Sequence, residues 1–204
     1  MALDRGHWVT VFNSRSEFKN YAAPESLIVL FYGVAIRMNG SIRIAEPADT
    51  DAVDALLLAS YSSLLAVDYD SNTLNRALPH LTAANASLLA SGTYYVVMEK
   101  SGRLVGCGGW SAAEPGSGRI IEGEAHIRHV ATHPNWVRRG IGTRVLVRCF
   151  SDAKSLHIHT LHCLSTLNAE QFSRAAGFIT IGPVDVPMGS SLFFPGILMR
   201  REIG

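Results

Sequence analysis

The stretch HPNWVRRGIGTRVL, residues 133–146, decides the fold, because it joins a strand to a helix through a glycine-containing turn. EAHIRHVAT (residues 124–132) before it alternates like a strand. After it, apolar residues recur at helical spacing: Ile141, Val145, Leu146, Cys149, Phe150 and Ala153. The first amides of a helix lack acceptors within the helix, and the helix dipole adds positive charge there. Glycines let phosphate oxygens approach the backbone, and Arg138, Arg139 and Arg144 add charge, so the turn predicts a phosphate site.

Two common phosphate-binding motifs do not fit this turn. A Walker A loop requires a lysine after the second glycine, which is absent here. A dinucleotide fingerprint requires a third glycine where Val145 stands, and it normally lies at the first βα turn of a chain. Glycines at a helix start also ease packing, and that structural interpretation stays open at this point.

The bulk composition indicates an ordinary globular protein. The chain has 204 residues, 48% hydrophobic and 17% charged, which suits one domain with a sizeable core. The formal net charge of +1 gives no electrostatic case for nucleic acid. Three cysteines, Cys107, Cys149 and Cys163, are too few for a disulfide scaffold and lie in apolar runs. We therefore expect them to be buried, and we expect the protein in a reducing cytoplasm.

Residues 1–38 differ from the rest. ESLIVLFYGVAI (residues 25–36) is apolar but shorter than the roughly 20 residues that a membrane-spanning helix needs. The lead into it is long and carries Glu17 and Glu25, so it fits a signal peptide poorly. We expect an N-terminal extension, disordered or read from an upstream start codon, before a domain over residues 39–204. An extra strand or an interfacial helix is the alternative, and we expect no membrane partner.

The remaining segments predict alternating strands and helices. Strands are expected over residues 41–47, 93–100, 103–110, 124–132, 160–166 and 197–203, the second and third forming a hairpin around Ser101-Gly102. Helices are expected over residues 52–66, 73–89, 141–153 and 168–176, the last closed by Gly177. This order indicates the α/β class, with a mixed, mostly antiparallel central sheet and about four flanking helices.

Two motifs at the right separation give the chain a family resemblance. VATHPNWVRRGIGTRVL (residues 130–146) resembles the acyl-CoA-binding motif of the GNAT superfamily of N-acetyltransferases, which is Gln/Arg-x-x-Gly-x-Gly/Ala after a strand. STLNAEQFSRAAGF (residues 165–178) resembles the second CoA motif of that family. The order of elements agrees over residues 41–202. The resemblance implies the acyl-CoA N-acyltransferase fold.

The resemblance also implies a set of acetyl-CoA-binding residues. The pyrophosphate would lie on the backbone amides of the turn, which comprises Arg138, Arg139, Gly140, Ile141, Gly142 and Thr143. The pantetheine arm would pair with Val130, Ala131 and Thr132, where this strand splays from its neighbour. Asn168 matches the motif asparagine near the sulfur, and Phe172 belongs to the same motif. Val137 stands where the family prefers Gln or Arg, a difference of small consequence because the amides dominate.

The catalytic residues follow from the same comparison. Transfer to an amine requires a base and a donor for the leaving thiolate. His126 falls where several family members carry the base, and an ordinary histidine pKa suits proton removal at neutral pH. Glu124 and Glu122 are the fallback bases. Ser173 stands where the family carries a tyrosine that protonates the thiolate, and a serine hydroxyl is a much weaker acid. A structural role for His126 on an exposed strand stays open.

The HIHTLH stretch (residues 157–162) does not predict a metal site. His157 and His159 would share a strand face, but no carboxylate or cysteine nearby completes a usual set of ligands. We therefore expect no metal. Cys107 and Cys163 have no histidine partner in the sequence, which argues against an acyl-enzyme.

We therefore expect an N-acetyltransferase that moves an acetyl group from acetyl-CoA to a primary amine in a ternary complex. The amine is a small molecule, a peptide N-terminus or a lysine. A non-catalytic acyl-CoA-binding module is the main alternative, and a nucleotide-binding protein is the third. The resemblance places the acceptor between the first two helices (residues 52–90) and a loop over residues 182–195. Tyr61, Asp68, Tyr69 and Asp70 there would suit a cationic amine. Homodimers are frequent in the family, and the sequence offers no test of that.

Overall fold

The computed structural model describes residues 8–12, 18–22, 28–31, 34–37, 40–189 and 191–204. The chain divides into two compact units, Met1–Gly40 and Ser41–Gly204. In the first unit, β1 (Trp8–Phe12) pairs antiparallel with β2 (Phe18–Ala22), and β3 (Ile28–Phe31) pairs antiparallel with β4 (Val34–Arg37). The prediction of a disordered or misread extension over residues 1–38 falls in large part outside the described residues, and it stays a prediction.

The second unit is built around one mixed sheet. Its strands are β5 (Ser41–Ile44), β6 (Tyr94–Met98), β7 (Leu104–Ser111), β8 (Glu124–Thr132), β9 (Thr160–Ser165), β10 (Ile179–Met188) and β11 (Leu192–Glu202). Its helices are α1 (Thr50–Leu64), α2 (Ser71–Thr82), α3 (Ala86–Leu89), α4 (Ile141–Ser155) and α5 (Glu170–Ala175). The strand order is β10-β11-β9-β8-β7-β6-β5, and in this sheet β8 and β9 run parallel while the other neighbours run antiparallel. The predicted fold class is confirmed.

Helices cover both faces of the sheet. The apolar residues of α4 and α5 pack on one face against Tyr95, Val97, Val105, Ile127 and Leu161. The residues of α1 and α3 pack on the other face against Tyr94, Val96, Cys107 and Ala131. A third cluster joins α2 to the β10–β11 hairpin through Leu74, Ala77, Leu81, Leu192 and Phe194. Alternate residues of β6 thus serve opposite faces, as the two-residue period of a strand requires. In β7 a register irregularity opposite Val97 and Met98 puts Val105 and Cys107 on opposite faces.

The predicted second helix, residues 73–89, is wrong, because the structure divides it into α2 and α3. The Asp54 carboxylate accepts a hydrogen bond from the Ala84 amide at 2.6 Å and holds the chain extended there. Asn85 then caps α3, its side-chain oxygen accepting from the Leu88 amide at 3.1 Å. Local side-chain acceptors of this kind compete with the helix ladder. The described residues therefore hold five α-helices rather than about four.

The predicted loop over residues 182–195 is also wrong, because most of it belongs to strands β10 and β11. The two strands pair continuously around the turn, down to Met188↔Leu192. The family resemblance had implied a loop here, but the segment continues as strands. Because β10 is an edge strand, its prolines cost no ladder hydrogen bond on the outer side. Apolar residues that point inward from this hairpin pack on α2. The last strand consequently begins at Leu192 rather than at residue 197.

None of the helices in the described residues combines the length and apolarity that crossing a membrane would demand.

Candidate active site

The glycine turn places a left-handed residue directly before α4. Gly140 is the N-cap with φ 75°, and Arg138 also has a positive φ, of 61°. The first intrahelical hydrogen bond runs from the Arg144 amide to the Gly140 carbonyl at 3.0 Å. Gly140 has no side chain with which to cap α4. The amides of Ile141 to Thr143 therefore point beyond the helix end, where the helix dipole favours an anion.

Glycines also let α4 approach its neighbours closely. A Cβ added to Gly106 of β7 would lie 2.2 Å from Ile141 Cγ2, so only glycine allows the start of α4 to reach the sheet. A Cβ on Gly142 would lie 3.0 Å from the edge of the Phe172 ring. Phe172 thus packs α5 on the first turn of α4. The packing interpretation of the second glycine is correct, and it coexists with the open amides.

The three arginines of the turn differ in their surroundings. The Arg139 guanidinium lies 4.7 Å from the centre of the Trp136 ring and is exposed, as is Arg138. Arg144 is partly buried, and burial lowers its pKa from the ordinary value. Positive charge is therefore spread across the solvent side and the protein side of the α4 N-terminus.

The central parallel strands part beside this turn. Pairing between β8 and β9 runs from Glu124↔Thr160 to Ile127↔Cys163. Beyond that point β8 continues to Thr132, paired only with β7 on its other side. A strand that leaves its neighbour presents backbone groups to a ligand. The structure therefore has a V-shaped opening, bounded by β8 and β9, whose mouth faces the glycine turn.

A β-bulge lies on β8 at this opening. Cys107 pairs with Ala131 and Gly109 with Arg128, so two residues, His129 and Val130, stand opposite Gly108. His129 has φ 44°, and a Cβ added to Gly108 would lie 2.9 Å from both Val130 and Val145 of α4. Val130 therefore faces α4. Strict alternation along residues 124–132 would put His126, Arg128, Val130 and Thr132 on one face. That expectation is wrong beyond Arg128, because the bulge shifts the period.

Hydrogen bonds from the sheet fix this bulge. The Tyr94 hydroxyl donates to the His129 carbonyl at 3.2 Å, and the Cys107 thiol lies 3.8 Å from the same oxygen. The His129 imidazole is enclosed by α1 and α3, and burial lowers its pKa to about 4. His129 is therefore a neutral packing residue at physiological pH. Its backbone, not its side chain, shapes the opening.

The predicted base belongs to a polar cluster on the α1 side of the sheet. The His126 ring stacks on that of His162 with centroids 5.2 Å apart, and His162 Nε2 lies 2.8 Å from Glu124 Oε2. Beside them Arg128 donates to the Ser111 hydroxyl at 2.9 Å. Burial lowers the pKa of His126, and the charge of His162 lowers it further. The structure therefore brings His126 and Glu124, both predicted site residues, together with His162, which was not predicted as a site residue.

Ser173 and Tyr61 both interact with the Cys163 thiol at the apex of the opening, the first through a hydrogen bond and the second electrostatically. Ser173 is buried on α5 and is a hydrogen-bond partner of that thiol. Tyr61 of α1 interacts electrostatically with the thiols of both Cys107 and Cys163, and burial raises its pKa above the ordinary value. Ser173 was expected here, while Tyr61 was considered only for the acceptor. Tyr61 is far in sequence from both CoA motifs, so the sequence did not predict its interaction with Cys163.

Tyr69 and Asp70, expected around the acceptor, and Asn168, expected to bind CoA, all have structural partners. Tyr69 accepts from the Leu167 amide and donates to the Pro195 carbonyl, both at 2.9 Å. Asp70 caps α2 by accepting from the Thr73 amide at 2.9 Å. The Asn168 amide donates to the Leu64 carbonyl at 3.1 Å. The contacts of Tyr69 join the segment between α1 and α2 to β11 and to Leu167, and the contact of Asn168 joins the turn before α5 to α1. They therefore fix the frame of the opening.

Within the described residues, no three His, Cys, Asp or Glu side chains are grouped so that they could share a metal ion. His157 and His159 precede β9 in the turn after α4 rather than sharing a strand face. The three cysteines are free, Cys107 and Cys149 buried and Cys163 partly so, close to expectation.

Solved structures share this fold. A GCN5-related N-acetyltransferase from Rhodopseudomonas palustris aligns with a TM-score of 0.66 at 19% identity, covering 81% of this chain and 96% of the other. PaiA N-acetyltransferase from Thermoplasma acidophilum, in complex with coenzyme A, aligns at 0.57 and 15% identity, with 81% and 99% covered. A phosphinothricin acetyltransferase from Sinorhizobium meliloti, in complex with AcCoA, aligns at 0.57 and 18% identity, with 82% and 90% covered. No curated protein matches the chain.

A family model agrees with the architecture. The model described as the acetyltransferase (GNAT) domain matches residues 65–193, a segment that holds the glycine turn, the parted strands and the polar cluster. This protein is therefore a member of the GNAT acetyltransferase family.

Proposed function

We propose that the protein is an acetyl-CoA-dependent N-acetyltransferase that acts on a primary amine, which is a small molecule, a peptide N-terminus or a lysine. The observation that carries this proposal is the opening between β8 and β9 beside the uncapped start of α4. The opening offers backbone groups to an extended arm, and the helix start offers amides to a phosphate. A CoA thioester has both parts in this order.

The donor would lie along three segments. The amides of 138–143 would bind the pyrophosphate, with Arg138 and Arg139 adding charge from the solvent side. Val130, Ala131 and Thr132 would pair with the pantetheine arm. The Asn168 side chain contacts Leu64, so we propose that it acts through its position at the rim, and that Phe172 acts by holding α5 on Gly142.

Acetyl transfer would use the two faces of the opening. His126 would accept the proton from the amine as nitrogen attacks the thioester carbonyl, with Glu124 acting through His162. An amide of the bulge on β8 would stabilise the oxyanion. The departing thiolate would take a proton from the hydroxyl of Tyr61 or of Ser173. Tyr61 is the stronger acid of the two, and Ser173 is the alternative donor.

Burial of the thiols supports direct transfer rather than an acyl-enzyme. Burial raises the pKa of Cys107 to about 12 and that of Cys163 to about 12. Burial also raises the pKa of Cys149. Because the thiolate is the nucleophilic form, none of the three cysteines is activated at neutral pH. We therefore propose one ternary complex, and free thiols fit a cytoplasmic location.

A non-catalytic acyl-CoA-binding module is the second candidate, and one observation favours it. The residue at the expected proton-donor position, Ser173, is buried and already bonded to Cys163. Such a module would bind acetyl-CoA with the same opening and would acetylate no amine.

Incubation of the full chain with acetyl-CoA and a panel of amines separates these candidates. The panel comprises a polyamine, an aminoglycoside, a peptide with a free N-terminus and an N-blocked peptide with one lysine. Mass spectrometry should detect a product 42 Da heavier, by the mass of one acetyl replacing hydrogen, with at least one class of amine. Acetyl-CoA binding without any such product across the panel would instead favour the binding module.

A further inference from the structure

The polar cluster contains more than the base assigned above. His126 and His162 face each other across the parallel pair, because they are register partners on β8 and β9. Their rings stack with an angle of 26° between the ring planes. They stand one residue before Ile127↔Cys163, the last pair before the strands part. The pair therefore lies at the apex of the opening, on the face that α1 covers.

Glu124 fixes the orientation of the second histidine. A carboxylate only accepts hydrogen bonds, so the 2.8 Å contact requires the hydrogen on His162 Nε2. Glu124 stands two residues before His126 on the same strand face, and both side chains of the ion pair are partly buried. Glu124 therefore holds the His162 ring in its stacked position on the His126 ring. In the described residues, the His126 ring makes no hydrogen bond of its own, which leaves a ring nitrogen available to accept a proton.

The charges around His126 come from three places. His162 faces it from β9, and Glu124 and Arg128 flank it on β8. Glu114 faces it from the segment between β7 and β8. The two carboxylates favour the protonated form of His126, whereas His162 and Arg128 disfavour it. Burial acts in the same direction as His162 and Arg128 and is the largest influence.

We propose that His162, held by Glu124, is a positioning residue that orients the His126 ring toward the opening and keeps it in the neutral, proton-accepting form. This inference rests on the proposed function, since it assigns a partner to the proposed base. Protonation of His126 places a positive charge against the imidazole that Glu124 holds. His126 therefore releases the amine proton readily to solvent after each transfer.

The experiment is an NMR titration of the histidine Cε1 protons in the full chain without acetyl-CoA. The His126 resonance is assigned from its loss in His126→Ala. The test variants are His162→Gln, which removes the ring, and His162→Phe, which keeps the stacked ring without its charge. Glu114→Gln is the matched control, since it removes a charge of opposite sign near the same imidazole.

His162→Gln and His162→Phe should both raise the pKa of His126 by about half a unit or more, the size expected for one charge at this separation in a water-like medium. Glu114→Gln should lower it. If both His162 variants remain folded and neither moves the His126 titration, the positioning role is wrong. Having two variants keeps the test valid if one does not fold.

The pH dependence of kcat/KM separates this inference from the proposed function. Neutral His126 is the active base, so activity should fall as pH drops through its pKa. The acidic limb of the profile should therefore move to higher pH in His162→Gln and to lower pH in Glu114→Gln. If the NMR pKa moves while the acidic limb stays fixed, His126 is not the base, and the proposal that it is positioned for catalysis is overturned.

Discussion

The glycine turn before α4 and the histidine pair on β8 and β9 lie on opposite sides of one sheet, and they are built in different ways. The turn is contiguous in the chain and offers backbone amides, so its chemistry depends on φ at Gly140 and on close packing at Gly106 and Gly142. The histidine pair joins strands more than thirty residues apart and offers side chains, so it depends on register and burial. In the proposed function, the first region binds the donor and the second carries out proton transfer.

Because the two regions are built differently, we expect substitutions to divide into two classes, those that affect acetyl-CoA binding and those that affect kcat. Changes in the turn should weaken acetyl-CoA binding and leave the chemistry of bound donor intact. Changes in the polar cluster should lower kcat and leave donor affinity intact. A protein that only binds acyl-CoA would show the first class alone.

The largest effect is expected from His126→Ala. Loss of a general base should lower kcat by about 100-fold or more, while the affinity for acetyl-CoA stays unchanged. Steady-state kinetics and calorimetry measure the two quantities. His157→Asn, a change at an exposed histidine with positive φ, is the control and should leave both unchanged. Full activity in His126→Ala would show that His126 is not the base, and Glu122 or Glu124 would then be assigned that role.

A smaller effect is expected from Tyr94→Phe, which removes the donor to the His129 carbonyl. The free energy of unfolding should fall by about 1 kcal/mol, and kcat should fall by about 10-fold because a bulge amide serves the oxyanion. Tyr95→Phe is the matched control, since the Tyr95 hydroxyl bonds Asp152 on the α4 side. It should lower stability without lowering kcat. Equal effects of Tyr94→Phe and Tyr95→Phe on kcat would show that the bulge has no role in the mechanism.

The smallest effects on kcat should come from the hydroxyls of Tyr61 and Ser173, and they rank the two as proton donors. Tyr61→Phe should lower kcat by about 10-fold, because a phenol is the better general acid. Ser173→Ala should change kcat by about 3-fold or less. Turnover of acetyl-CoA with the best amine from the panel measures both. The reverse ranking would show that the serine, at the position of the family's tyrosine, supplies the proton.

The same contrast explains how much could be predicted from the sequence. The element order, the sheet class and the turn before α4 were predictable, because each depends on local periodicity or on a contiguous motif. The bulge at His129 was not, because the alternation of β8 carries no sign of an extra residue opposite Gly108. The partners His162 and Tyr61 were not, because only the parallel register and the packing of α1 bring them to the opening. The division of the second predicted helix depends on Asp54, a residue of the preceding helix.

The most direct test of the account is calorimetric titration of acetyl-CoA into the full chain and two variants. Gly142→Glu places a carboxylate in the anion site and presses on Phe172. Gly182→Glu makes the same chemical change where an added Cβ meets nothing within 4 Å. We predict that the wild type and Gly182→Glu bind acetyl-CoA alike. Gly142→Glu, shown by circular dichroism to be folded, should bind acetyl-CoA about 100-fold more weakly. Absence of binding to the wild type, or equal binding by Gly142→Glu, would contradict the account.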